Sequence, residues 1–417
     1  CPSILHSKEE GGVSMAVSQS GAKVKAASQQ PKQKKKFRLF SVANGFDMPM
    51  FILLMILLVV GLISLYSASY VYSFYKNGDS YLYIKRQLVF ALLGVVAMLV
   101  ISTVDYHVLH HFALPIMGIS LILLVVVLFL PSSTGIHRWI RLPGLGQFQP
   151  SEVAKFGLIL LFAHLISLNH KKMNTFTRGY LPFMMILLVV CGLVFQEPHL
   201  SGTMLLLAIG IIMMFVGGTK TLYLVLTILL GVAAVFLMVF VLGYEQDRIE
   251  VWLNPLEVYV SDKVYEGGLS GRDLAWQTVQ SLYAIGSGGL MGQGLGNSRQ
   301  KHLFLPEPQN DFIFSIVCEE LGFVGAALIV ILFALLVWRG FTIGMKAPDK
   351  FGSMLAIGLT AQIGVQVVMN MAVVTNIMPN TGISLPFFSY GGTSLVMLLA
   401  QMGVVLSVSR GVKSEKT

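Results

Sequence analysis

Ten apolar runs, at about 48–72, 88–104, 112–130, 151–168, 181–195, 204–216, 222–242, 312–338, 353–374 and 392–409, take up most of this 417-residue chain. A helix needs about 20 apolar residues to cross roughly 30 Å of hydrocarbon. The runs therefore predict an all-α polytopic membrane protein of about ten transmembrane helices, two of them short. The composition fits: only 12% of residues are charged, against roughly 25% in soluble domains.

An even number of spans puts both termini on one side, and the basic residues choose that side. With the N-terminus inside, the inner segments hold 18 Lys and Arg and the outer ones 10, half of the latter in the long 243–311 loop, where charge counts less. Both ends are expected to be cytoplasmic. The net charge of +9 is then largely a topology signal plus attraction to membrane lipids, for which Lys32, Lys34, Lys35, Lys36 and Arg38 are well placed. No basic soluble module is present to bind nucleic acid.

Residues 1–46, rich in Ser, Gln, Lys and Gly, predict a disordered basic cytoplasmic tail with Met15 as its expected start. Residues 47–410 form the membrane domain and 411–417 a second cytoplasmic tail. Cys1, Cys191 and Cys318 offer no disulfide or metal-ligand spacing.

Polar sequence concentrates in three outer loops, 131–150, 243–311 and 375–391, so function is expected at the outer face. The largest, 243–311, holds DLAWQTVQSLYAIGS (Asp273 to Ser287), whose pattern suits an amphipathic helix lying on or re-entering the membrane. SGGLMGQGLGNS follows, with glycines that permit close backbone approach to a ligand. It is no nucleotide loop, because no strand precedes it. In the last outer loop Leu385, Phe387 and Phe388 are apolar, so that loop is expected to fold back into the bundle. No 20–50-residue repeat is evident, which weakens an inverted-repeat transporter.

Several motifs resemble the SEDS family of bacterial cell-wall polymerases, comprising FtsW, RodA and SpoVE. They are RWI…QFQPSEVAK (Arg138 to Lys155), QEPHLSGT (Gln196 to Thr203), WLNP (Trp252 to Pro255), LPEPQNDFIF (Leu305 to Phe314) and NTGISLPFFSYGGTSL (Asn380 to Leu395). NTGISLPFFSYGGTSL and PEPQNDFIF look more like the division and sporulation branch, FtsW and SpoVE, than like RodA. The resemblance spans about 47–410. It implies a ten-helix glycosyltransferase that polymerises lipid II, the undecaprenyl-pyrophosphate-linked disaccharide-pentapeptide, into peptidoglycan strands at the outer face of the bacterial cytoplasmic membrane, for cell division or sporulation. It also implies a class B penicillin-binding protein and division proteins as partners. A lipid II flippase or transporter and a non-catalytic division scaffold are the competing classes.

Asp311 falls on the family's catalytic aspartate. By position alone it could equally be a helix N-cap. Glu152 and Lys155, three apart, share a helix face; a structural ion pair explains them on chemistry alone, and the family resemblance places them near the catalytic cavity. Arg138 suits pyrophosphate and Trp139 the headgroup level, though both could be interface anchors. Lys301, with Arg299 and His302, suits an anionic substrate or a solvated loop face. Glu319 and Glu320, adjacent on a helix, cannot both face one site, so one is expected to pack structurally. Gln196, Glu307 and Ser389 complete the expected supporting residues. Loss of a pyrophosphate needs no protonation, so one base suffices, whereas glycosidases use paired carboxylates. Arg138, Lys155 or a divalent cation, Mg or Mn, would neutralise the leaving group. Partial burial is expected to raise the Asp311 pKa.

Overall fold

The computed structural model describes residues 45–130, 138–142, 146–197, 199–237, 246–261, 263, 265 and 270–414. The tail expected at 1–46 therefore lies outside the described residues, apart from its last two. Helices α1 (Met48–Asn77), α2 (Leu82–Thr103) and α3 (Val108–Phe129) lead into a two-stranded antiparallel hairpin, β1 (Ile140–Leu142) with β2 (Gly146–Phe148). Then come α4 (Pro150–Asn169), α5 (Leu181–Gln196), α6 (Leu200–Gly217) and α7 (Thr221–Phe236). The outer segment contributes α8 (Gln246–Leu253), α9 (Pro255–Val260) and α10 (Gly271–Gly288), and the chain closes with α11 (Ile313–Met345), α12 (Lys350–Val374) and α13 (Gly392–Ser414).

Among the described residues nine helices are long and apolar enough to cross a bilayer, and α7 is the shorter apolar tenth. The ten expected runs each correspond to one of these ten helices. The helix α13 runs four residues beyond the expected boundary at 410.

Local chemistry sets the helix ends. Asp47 caps α1, accepting from the Met50 N–H at 3.0 Å, as side-chain oxygens at N-caps do, and Pro49 sits in the first turn where its missing N–H is harmless. Asp349 caps α12 in the same way through the Gly352 N–H at 2.8 Å. Asp47 also accepts from Arg339 Nε and Nη2 at 3.0 and 2.7 Å, while its own N–H donates to Ser409 Oγ at 3.0 Å. The start of α1 is thereby tied to the far ends of α11 and α13, at the opposite end of the bundle from the three outer loops.

Helices α4, α12 and α13 are the most buried and form the centre, with α2 laid along α13 and α3 along α4. The last outer loop does fold into the bundle: Leu385, Phe387 and Phe388 are all buried. The amphipathic segment forms α10, which packs on α11 and α9 and buries Ala275, Val279, Ser281 and Ala284. Ser281 is held by Ser315 at 2.7 Å and by the Val374 carbonyl at 2.8 Å.

The glycine-rich loop corrects an expectation. Its close approach is to the protein's own backbone, and it does not line the cavity described below. Gly322 breaks α11 with a left-handed φ of 66°. Across that break the Glu319 and Glu320 carbonyls accept from Gln293 and Gly294, both at 3.0 Å, and the Phe323 and Val324 N–H groups donate to Gly289 and Leu290 at 2.9 and 3.1 Å. Backbone groups left unpaired at membrane depth cost several kcal/mol each, so the loop supplies the partners that the broken helix lacks. A Cβ on Gly322 would lie 2.2 Å from the Gly292 nitrogen, which is why glycines meet here.

Candidate active site

All three outer loops converge on one cavity of about 1100 Å³. The first loop delivers Arg138 and Trp139 just ahead of β1, and β2 leads straight into Gln149 and α4. The Thr393 hydroxyl at the start of α13 donates to the Gln147 carbonyl at 2.8 Å and fixes the hairpin over the cavity. The second loop brings Arg248, Trp252, Gln277, Glu307 and Asp311, and the third brings Asn380, Thr381, Ser389 and Tyr390.

Asp311 stands at the turn into α11, partly buried. Its carbonyl accepts from Asn370 Nδ2 at 2.7 Å, and the same amide donates to the Ile383 carbonyl at 2.7 Å. One side chain of α12 thus joins the aspartate to the last loop. Tyr390 N–H donates to the Gln309 carbonyl at 2.8 Å and repeats the connection two residues earlier. Gly382, at φ 67°, passes so close that a Cβ there would lie 3.4 Å from Asp311 Oδ2. Burial pushes the Asp311 carboxyl up to about 6, with the Glu307 charge adding to the rise and its own N–H and Arg138 opposing it. The expected direction is borne out.

Glu152 and Lys155 pair at 2.7 Å and both line the cavity. Five cations, Lys76, Arg86, Arg138, Lys155 and Arg248, face it with three carboxylates, Glu152, Glu307 and Asp311. The lining therefore carries an excess of positive charge, which favours an anionic ligand. Burial and neighbouring Arg248 hold the Arg138 guanidinium below the ordinary arginine value, and its Nε has no hydrogen-bond partner. Neither Glu197 carboxylate oxygen has one either; burial raises that carboxyl to about 8, opposed by Arg138. Beside it, His199 lies against Gln149 Nε2 at 3.3 Å. Burial, then Arg138 and Lys155, lower this imidazole to about 3, so it is neutral.

Glu307 lines the rim, accepting from Asn310 Nδ2 at 2.8 Å. Ser389 lines the cavity while its Oγ caps the Leu385 N–H at 2.7 Å. Two expected site residues fall elsewhere. Gln196 ends α5 exposed and outside the cavity lining, and His199, three residues on, takes the place expected for it. Lys301 is fully buried, 2.7 Å from Glu320, and also outside the lining; with a carboxylate partner to neutralise it, it has no free charge to offer an anionic substrate. Arg299 and His302 are likewise absent from the lining. Glu319 and Glu320 are both structural: Glu319 accepts from the Arg299 and Gln300 N–H groups at 2.9 and 3.3 Å.

The sequence reading also missed Arg248, Lys76 and Asn370. A signal existed for the last, because Gln362, Gln366 and Asn370 recur every four residues in an otherwise apolar helix and so stack on one face.

The FtsW/RodA/SpoVE profile, described as cell cycle protein, matches residues 48–414. The chain belongs to this family. It is similar to stage V sporulation protein E of Bacillus subtilis strain 168, with 42% identity over 87% of this chain and 97% of that one. It is also similar to a probable peptidoglycan glycosyltransferase FtsW of Trichlorobacter lovleyi, at 38% identity over 91% and 96%. A solved chain from "Structural coordination of polymerization and crosslinking by a peptidoglycan synthase complex" superposes with a TM-score of 0.72 at 27% identity, covering 89% of this chain and 99% of that one. As in the rest of the FtsW/RodA/SpoVE family, the fold is that of a multi-pass membrane protein.

Proposed function

We propose that this chain is a peptidoglycan glycosyltransferase that polymerises lipid II with Asp311 as its general base. The observation that carries the reading is that Asp311, an acid of raised pKa, lines a cavity whose other charges are mostly cationic. A sugar hydroxyl of the acceptor gives its proton to the Asp311 carboxylate as its oxygen bonds to the donor's anomeric carbon. The bond from that carbon to the pyrophosphate oxygen breaks, and undecaprenyl pyrophosphate leaves with the electron pair. Arg138, Lys155 and Arg248 offset the charge that develops on it. A pKa near 6 keeps Asp311 ionised at neutral pH while making it a better base than an ordinary aspartate.

A divalent cation fits as an accessory. Among the described residues no cluster of three or more His, Cys, Asp or Glu exists, but magnesium is commonly held by one or two carboxylates plus substrate phosphates. Glu307 with the pyrophosphate oxygens would hold it, and it would supply further charge neutralisation.

The similarity to FtsW and SpoVE chains at 38–42% identity supports a role in division or sporulation. The structural likeness to a chain of a peptidoglycan synthase complex supports a class B penicillin-binding protein as the partner. The excess of basic residues in the inner segments supports a cytoplasmic location for both termini, with the cavity facing outside.

The test uses purified full-length protein with its partner and labelled lipid II in detergent, where no transbilayer movement is possible, with penicillin blocking cross-linking. Glycan polymer forms with the native chain and is lost with Asp311→Asn. If the protein instead moves lipid II across liposomes at a rate indifferent to that substitution and never makes polymer, the transporter reading replaces this one.

A further inference from the structure

Lys301, withdrawn from the cavity, is the centre of a buried polar cluster that the glycosyl transfer as written does not use. Its ammonium lies 2.7 Å from Glu320 Oε1 and 3.3 Å from Ser67 Oγ on α1, and 4.9 Å from the centre of the Tyr70 ring. The Ser67 hydroxyl reaches both Glu320 oxygens at 2.7 Å, and the Ser298 N–H approaches Oε1 at 3.4 Å. Glu319 takes the neighbouring N–H groups of Arg299 and Gln300 together with the Ser298 hydroxyl. Two successive acids of α11, just before its break, thus grip the four residues 298–301.

A buried ion pair is poor evidence for stability, since well-packed apolar residues often serve as well or better. What it supplies is a fixed position, and the segment that follows needs one. Between Lys301 and Asp311 the backbone is left-handed at Leu303 (φ 69°) and Glu307 (φ 44°), neither of them glycine. Such residues persist only where their surroundings over-determine them, and they mark segments whose shape serves function. This segment is held at its far end by Asn370 and Tyr390, as described, and in the middle by Trp276 Nε1 donating to the Phe304 carbonyl at 2.5 Å. Its near end is held by the Lys301–Glu320 cluster. Release of that end would let the strained backbone relax and move Asp311 relative to Arg138 and the loops around it.

We propose that Lys301 and Glu320 are positioning residues for glycosyl transfer, their buried ion pair fixing one end of the strained 301–311 segment so that Asp311 stands where the acceptor's proton must go. The inference rests on the polymerase reading above.

The test compares full-length protein, with its partner in detergent, as wild type, as Lys301→Met combined with Glu320→Gln, and as Ser67→Ala. The paired change leaves no uncompensated charge, and the glutamine keeps the contact with Ser67. Rates are taken per folded molecule, counted by size exclusion and thermal melting. The paired variant is expected to melt within a few degrees of wild type, to keep the KM for lipid II within twofold, and to lose kcat at least tenfold. Ser67→Ala, which removes only a hydroxyl, is expected to lose kcat about threefold at unchanged KM. A kcat per folded molecule within twofold of wild type in the paired variant overturns the proposal, as does a rise in KM at unchanged kcat. Should the paired variant fail to fold, Ser67→Ala decides alone, and a native kcat there overturns it. Wild-type protein that binds lipid II but makes no polymer defeats the polymerase reading and this inference together; polymer from wild type and variants alike defeats this inference only.

Discussion

Asp311→Asn should make the protein more stable and inactive at once. The Asp311 carboxyl is raised from 3.8 to about 6. A shift of roughly 2 units at 1.36 kcal/mol each sets the cost of holding the ionised side chain in the fold at about 3 kcal/mol, and its partial exposure to a wet cavity reduces that to about 1–3 kcal/mol. The sign follows from linkage: the folded state binds this proton more tightly than the unfolded one, so the cost is fully present above pH 6 and vanishes as pH falls below the unfolded value near 4. Asparagine keeps the size and has no charge to bury. At pH 7.5 the variant should therefore melt above wild type, and the gap should close on acidification through pH 6 to 4. Polymerisation should fall roughly 100-fold or more, as expected when a general base is removed. In the wild type the acidic limb of kcat/KM should be centred near 6, with about a tenfold loss by pH 5. An unperturbed aspartate would still be about 90% ionised there. Melting curves and radiolabelled lipid II assays from pH 4.5 to 8 measure both quantities. A limb centred near pH 4, or polymer from Asp311→Asn at near-native rate, would refute the argument and leave Asp311 as a helix cap.

Arg138→Gln should move the acidic limb upward and Glu307→Gln should move it downward, because Arg138 lowers and Glu307 raises the Asp311 carboxyl; pH–rate profiles that shift together contradict the geometry. Lys155→Ala leaves Glu152 without its partner and should cost about 3–5 kcal/mol of stability, read by thermal melting. The informative variant is Glu152→Lys with Lys155→Glu: recovery of folding without activity marks a direct role in transfer, and recovery of both leaves a structural pair. In a background lacking Cys1, Cys191 and Cys318, a cysteine at exposed Asn297 should label from outside the cell. Cysteines at exposed Lys171 and Lys346 should label only after the membrane is opened; the reverse pattern would invert the topology.

The length of each apolar run made the bundle legible, because crossing a bilayer imposes a length that few other folds require. Which faces meet was less so. The helix α10 buries Ala275, Ser281, Ala284 and polar Gln280 alongside Val279, and leaves Tyr283 exposed, so size and polarity alone do not mark its packed side. Asp311, Glu152, Lys155 and Arg138 could be named because each sits at an element boundary in a distinctive motif. Lys301 was misplaced for the same reason that the glycine loop was: sequence shows that a charge or a close approach exists, but not what stands opposite. Here it was Glu320 in one case and the backbone of α11 in the other. Gln196 was named where its neighbours Glu197 and His199 turn inward, a difference of helix-end geometry that spacing does not encode.

The two glutamates at the break in α11 also bear on how the chain is made. An acid at the centre of a membrane helix costs about 2.5–3.5 kcal/mol to insert, and α11 carries two in succession, Glu319 and Glu320. Their partners, Ser67, Ser298 and Lys301, all precede them in the sequence, as do the glycines that pair with the broken backbone. A ribosome working from the N-terminus has therefore delivered every group that satisfies this helix before the acids leave the exit tunnel. The two acids are synthesised after the groups that satisfy them, so α11 can be received into a prepared socket and need not wait in lipid with charges and peptide groups exposed.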